Sequence, residues 1–436
     1  MPESGVCTVL RSSLQEMTEE LDHVIAQLLE DPSDVGLKER VMSLRSGIDD
    51  TRARMDEAGC DGVQPPPAPG PALADFGHGG IEVLGRRALG PRPLVVVQLE
   101  WDEDGTDGFP SISSVHPLDY YEKLAFGHPA PPFTTDPVNP ASLTEYVQEC
   151  SAGRFWFTRA GLLGPARMGL FGNPSEAEHV AKVAARMAGL FPALLHSMDV
   201  DASSVVTADE LVVLVVENHR NRFPANRGTQ SVPVTVGQVT KTMDLRLAFA
   251  GPFTPFYQIG HEVAHSVGAL DMYNPGSMNY LLTLMGGYSF TGNDQGTVHL
   301  DAWHKMAFGW CEPRRVQLTE HGSASVVEIS AERPDGAVIL WHPGRGATEY
   351  FLVERRNRAG GRKYDVDFPG DGVLVWHIDP SRPPMNRGAP DLVPGSTGIW
   401  TPGTRTPPLT WTDGTPALEG LAFTAGTEPG AIRLDW

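Results

Sequence analysis

Apolar and polar residues follow three different rhythms along this chain, and each predicts a different kind of structure. Over residues 12–57 the apolar positions fall at helical spacing: Leu14, Met17, Leu21, Val24 and Leu28, then Leu37, Val41, Leu44, Ile48 and Met55. Alternating steps of three and four put each set on one stripe, so two amphipathic helices are expected. Ser13 with Glu16 reads as a capping box at the start. The run DPSDVG at 31–36 separates the helices. Two such seams pack as an antiparallel hairpin or pair with a second copy of the chain. A stiff, extended linker follows at 65–71 (PPPAPGP).

The second rhythm is continuous. PLVVVQLE at 93–100 and ELVVLVVE at 210–217 are apolar almost throughout, as buried strands are, and 231–238 alternates like a third strand. Between them, Asn173-Pro174 opens a predicted helix with Val180, Val183, Met187 and Leu190 on one face. From about residue 315 short strands separated by turn clusters take over, clearest at 324–330, 337–342, 349–355 and 372–378. No fixed-period repeat is present, which argues against a solenoid or propeller. The expected fold is therefore α+β. It comprises a helical hairpin at 1–62, a linker at 63–75, a mixed domain at 76–314 and a β-rich, sandwich-like module at 315–436.

Charge narrows the partners. The chain has 54 acidic and 34 basic residues, a net charge of −20. Such a surface repels phosphate backbones and anionic lipid, so neither nucleic acid nor membrane is an expected partner. Bound cations and basic substrates fit it. Cys7, Cys60, Cys150 and Cys311 form no CxxC pair, so a thiolate metal site is not expected. Cys7 and Cys60 flank the hairpin and are candidates to meet at its open end, but four independent thiols are the leading expectation. The N-terminus has no basic segment followed by an apolar core. A complete chain is accordingly expected in the cytoplasm, and one trimmed of a signal would be secreted.

The densest chemistry lies in TPFYQIGHEVAHSVGALD, residues 254–271. Thr254 is a suitable N-cap and Pro255 a suitable first helical residue. On that helix His261 and His265 stand one turn apart on one face, able to offer two imidazoles to one metal ion. Glu262 lies between them, placed to take a proton from a metal-bound water. Gly268 suits a left-handed helix end, and Asp271 follows three residues later. The reversed chain would bring Asp271 to the metal as a third donor, in a HExxHxxGxxD spacing. Zinc accepts carboxylate oxygen, and three protein donors leave the fourth position for water.

These residues resemble the signature of the immune inhibitor A family of zinc metallopeptidases, HExxHxxGxxD followed by a Met-Gly run. HEVAHSVGALDMY and LMGGYSF match it, and HLDAWHKMAFGW at 299–310 is similar to a later family segment. PLDYYEKLAFG, SLTEYVQECSAGRFWF, EYFLVERRN and DFPGDGVLVWHID extend the likeness over about 93–380. The resemblance implies a metzincin-like fold and hydrolysis of a peptide or protein substrate. His261, His265 and Asp271 would bind Zn2+, Glu262 would be the general base, and Met285 would form the Met-turn beneath the metal.

Weaker signals surround this centre. Tyr288 is a candidate metal or oxyanion partner, with a packed aromatic as the competing reading. His299, Asp301 and His304 cluster on a predicted helix. They read as surface residues or as partners that orient ligands, one of them serving as third donor if Asp271 does not. Asp199, Asp201, Ser203, Thr207 and Glu210 occupy donor positions of a Ca2+ loop, with Ser204 where such loops have glycine; a plain polar loop competes. The acidic run 102–107 is a weaker calcium candidate, and His377 is expected to pack. A peptidase is thus the leading expectation. A dedicated intracellular amide hydrolase acting on a specific peptide or small molecule is second, and an idle binding or assembly protein organised by the hairpin is third; the hairpin is also a candidate contact for a homo-oligomer.

Overall fold

Both strand runs owe their uninterrupted apolar character to a sheet covered on both faces. The computed structural model describes helical residues between 12 and 51, then 76, 88–102, 116–127, 142–171, 174–218, 225–252, 254–272, 282–286 and 298–318. It also describes 327–329, 336–356, 364, 365, 368, 370–379, 391–393, 398–426 and 431–436. The chain divides into two units, Met1–Ala72 with Asp199–Ser203, and Leu73–Met198 with Ser204–Trp436.

In the first unit, helix α1 (12–27) and helix α2 (36–51) bury Val24, Val41, Leu44 and Ile48, members of the two predicted seams. Arg40 Nε donates to Glu20 Oε1 at 2.9 Å. A Cβ on Gly47 would lie 3.0 Å from Met17 Sδ. Positions 17 and 20 thus face 47 and 40 in reversed order, which makes the pair an antiparallel hairpin. Ser13 is not its N-cap, because Ser12 is already helical. Leu14, Leu28, Met55, Cys7, Cys60 and the 65–71 linker lie outside the described residues.

The second unit is built on a mixed sheet of β1 (Gly90–Asp102), β2 (Phe155–Leu170), β3 (Val205–Thr207), β4 (Val212–Glu217), β5 (Ala225–Val236) and β6 (Val239–Ala250). Its order is β2-β1-β4-β6-β3, and β5 also pairs with β6. All pairs are parallel except β5 with β6. Helices α3 (Leu118–Phe126), α4 (Leu143–Cys150), α5 (Glu176–Leu190), α6 (Pro192–Ser197), α7 (Phe256–Val267) and α8 (Ala302–Ala307) accompany it. Alternate residues along β1 and β4 enter different cores. Leu94, Val96, Val212 and Leu214 pack with α4 and α7, whereas Val95, Val97, Val213 and Val215 pack with α5. Helix α5 begins after Ser175, not at Asn173-Pro174. Ser175 and Glu178 exchange the two bonds of a capping box, which satisfies N–H groups that no helical carbonyl reaches.

The tail is β-rich. Strands β7 (Arg314–Gln317), β9 (Ala337–Trp341), β10 (Tyr350–Arg356), β11 (Gly372–Ile378) and β12 (Asp391–Leu392) form one sheet in the order β12-β11-β10-β9-β7. Strands β8 (Val327–Ile329), β15 (Ala422–Ala425) and β16 (Ile432–Asp435) form a second, and β13 (Leu409–Thr410) pairs with β14 (Pro416–Leu418). Leu340, Phe351, Val353 and Val375 of the first sheet pack with Phe423, Ile432 and Leu434 of the second. The opposite face of the first sheet, with Ile339, Leu352, Leu374 and Trp376, joins the core that holds α7 and α8. The architecture is thus mixed α and β, with several sheets. No described helix is long and apolar enough to cross a membrane.

Candidate metal centre

Helix α7 starts one residue later than its sequence predicts. Pro255 is the N-cap in an extended conformation, Phe256 is the first helical residue, and the Thr254 hydroxyl accepts the N–H of Gly251 at 2.8 Å instead of capping. At the other end Gly268 takes the left-handed conformation, φ 112°, and Ala269 N–H returns to Ala264 O at 3.0 Å. This C-cap, which a glycine adopts without steric cost, turns the chain back toward the histidines.

The reversal brings three donor atoms together. His261 Nε2 and His265 Nε2 are 3.2 Å apart, and Asp271 Oδ1 lies 3.2 Å from the first and 3.3 Å from the second. Both rings are oriented by their far nitrogens. His261 Nδ1 donates to Leu284 O at 2.9 Å and His265 Nδ1 donates to Ala269 O at 2.7 Å. With those protons on Nδ1, the neutral rings turn Nε2 lone pairs toward Asp271. Asp271, an acid ionised at neutral pH, presents a carboxylate oxygen to both rings. That oxygen is buried yet accepts no hydrogen bond of good geometry.

Two nitrogen lone pairs and a carboxylate oxygen converging without protons between them repel one another unless a cation joins them. Zinc bonds of about 2.0–2.1 Å in a tetrahedron place neighbouring donors roughly 3.3–3.4 Å apart. The observed triangle of 3.2, 3.2 and 3.3 Å is close to that edge. The donor set therefore fits a small divalent ion. Glu262, next to His261 on α7, is buried beside this centre.

The structure places Met285, fully buried, in a 3-10 turn at Leu284–Gly286. Its carbonyl accepts Met272 N–H at 2.8 Å, and the preceding carbonyl, Leu284 O, is the one that orients His261. Tyr288 lies outside the described residues. His299, Asp301 and His304 are not surface residues, because α8 begins at Ala302 and all three side chains are fully buried. Nor are they donors at this centre. His299 Nε2 pairs with Glu149 Oε1 at 2.8 Å, and His304 Nδ1 pairs with Asp301 Oδ2 at 2.7 Å. The carbonyls of Leu284 and Ala269 and the hydroxyl of Thr283 escape sequence reasoning, since nothing in a backbone carbonyl's residue type marks its use.

Of the calcium candidates, Asp199, Asp201 and Ser203 fall in the segment grouped with the first unit, and Thr207 and Glu210 in the second. Asp201 Oδ1 accepts Ser203 N–H at 3.0 Å, and Glu210 Oε2 accepts Thr207 N–H at 3.1 Å. These are ordinary local turn contacts. Ser204, where calcium loops carry glycine, has φ 67°. Residues 103–107 lie outside the described residues. His377 packs on Phe351, ring centroids 4.8 Å apart, with its Nε2 2.8 Å from Glu349 Oε1.

No protein-family model matches this chain, and no curated protein aligns with it significantly.

Proposed function

We propose that the chain is a zinc-dependent peptidase of the immune inhibitor A type, with a metzincin-like catalytic fold. The observation that carries this reading is the convergence of His261 Nε2, His265 Nε2 and the buried, unbonded Asp271 Oδ1 at the edge length of a zinc tetrahedron. The HExxHxxGxxD run and its downstream segments support the peptidase class. Zinc, when bound, supplies Lewis acidity and brings the pKa of a coordinated water near neutrality. The chain's own residues do the rest. Leu284 O and Ala269 O fix the two rings, so that their Nε2 atoms face one point. Asp271 adds a negative donor, which moderates the charge there. Glu262 takes the proton of the attacking water and returns it to the leaving nitrogen. A base one residue from a ligand, on a rigid helix, needs no rearrangement to do this.

Turnover of a quenched fluorescent peptide library tests the reading. The wild-type chain should cleave it, lose activity to a chelator and regain it with zinc. Glu262→Gln should keep zinc and lose about 100- to 10,000-fold in rate, because the proton acceptor is removed and the donors are not. Near-normal turnover by Glu262→Gln would mean that another group is the base, or that the reaction is not this hydrolysis.

A further inference from the structure

Of the three donors, Asp271 alone lies outside a helix. His261 and His265 are held by α7 and by their Nδ1 bonds, whereas Asp271 sits on irregular chain beyond the α7 cap. Something else has to set it, and both of its neighbours are pinned. Met272 N–H donates to Met285 O at 2.8 Å. Leu270 N–H donates to the His304 ring, at Nε2, at 3.1 Å. An imidazole that accepts at Nε2 carries its proton on Nδ1, and that proton goes to Asp301 Oδ2 at 2.7 Å. The same Asp301 oxygen accepts the Thr283 hydroxyl at 2.7 Å, and Asp301 Oδ1 accepts His304 N–H at 3.0 Å. Thr283 Oγ1 accepts Asp301 N–H at 3.2 Å and lies 3.4 Å from the N–H of Met285. Leu270 and Met285, the two sides of the clamp on Asp271, are therefore joined by one chain of buried polar groups.

Burying this chain is costly. A carboxylate removed from water costs several kcal/mol unless donors meet it, and apolar residues of similar volume would fill the space without that penalty. What they would not supply is an acceptor facing Leu270 N–H. We propose that His304, fixed by Asp301 and Thr283, is a positioning residue that presets Asp271 for the metal. This rests on the zinc reading above. It places a role in ligand geometry on a residue 33 positions from Asp271 in the sequence that never touches the ion.

Zinc affinity of the full chain, measured by competition with a chromophoric chelator, tests this. His304→Ala should weaken zinc binding about 10- to 100-fold, the usual effect of losing a partner that orients a ligand. In an Asp271→Ala background the same change should have no further effect, because the residue it positions is gone. Thr283→Val, isosteric and apolar, should weaken binding in the same direction. His304→Gln should recover part of the loss, since its amide offers both an acceptor and a donor. Should His304→Ala fail to fold, Thr283→Val and His304→Gln carry the same double-variant comparison. Wild-type affinity in the folded single variants would overturn the proposal, as would an equal loss with Asp271 absent, which would mean general softening of the core. Failure of the wild-type chain itself to bind zinc would overturn the zinc reading and this inference with it.

Discussion

Asp365, buried in the second unit, accepts the Arg356 guanidinium, Nε to Oδ2, at 2.9 Å and the backbone N–H of His299 at 2.9 Å. Burial alone would raise its carboxyl; the charge of Arg356 and the groups of His299 outweigh that and hold it well below the usual carboxylate range. The folded pKa is therefore lower than the unfolded value of about 3.9. The stability this gives is present above about pH 4 and is lost as pH falls through the folded pKa. Asp365→Asn should accordingly be destabilised by about 1.5–3 kcal/mol at pH 7, leaving the buried Arg356 with Glu354, 3.2 Å from its Nη1, as its charged partner, and should lose less stability than wild type between pH 5 and pH 3. Urea midpoints at the two pH values check this; parallel acid responses would contradict it. Residue-scale chemistry was legible where it was local. His261, Glu262, His265, Gly268 and Asp271 fall within 11 consecutive residues, and one helix plus one turn dictates their relation. His304, Asp301 and Thr283 act through backbone atoms of a loop distant in sequence, and no spacing encodes that.

At the scale of elements, apolar rhythm located the strands and helices but not their ends. β11 runs over 372–378 as its pattern predicts, and of the 324–330 run the described residues, 327–329, are strand. Ends depend on capping partners. The start of α5 follows Ser175 and Glu178, and that of α7 follows the extended Pro255. The hairpin's antiparallel direction became definite only through Arg40 with Glu20 and Gly47 against Met17. The cap most consequential for the site is Gly268, at φ 112°. Alanine there forces Cβ against backbone and costs about 1–2 kcal/mol. Gly268→Ala should lower unfolding stability by that amount in denaturant and weaken zinc binding too, because Asp271 follows the turn. Unchanged stability would show that the C-cap tolerates a side chain.

Across the whole molecule, the second unit's main core runs from β1 through α7 and α8 to β11, with Trp303, Tyr350 and Trp376 all within it. Sequence rhythm marks the tail as β-rich, but it does not show which face of the tail sheet meets α7 and α8. Both faces of β9, β10 and β11 read as apolar, and their division between two cores is a property of packing alone. The candidate metal centre thus stands on a core to which the tail contributes, so its decisive test uses the full chain. The net charge of −20 makes the surface a general sink for cations, and the test has to separate one specific ion from that background. Elemental analysis after zinc loading and exhaustive dialysis does so. One zinc per chain is predicted for the wild type, falling well below one in His265→Ala with an unchanged far-ultraviolet circular dichroism spectrum. A wild-type chain without zinc, or a folded His265→Ala chain retaining a full equivalent, would contradict the account.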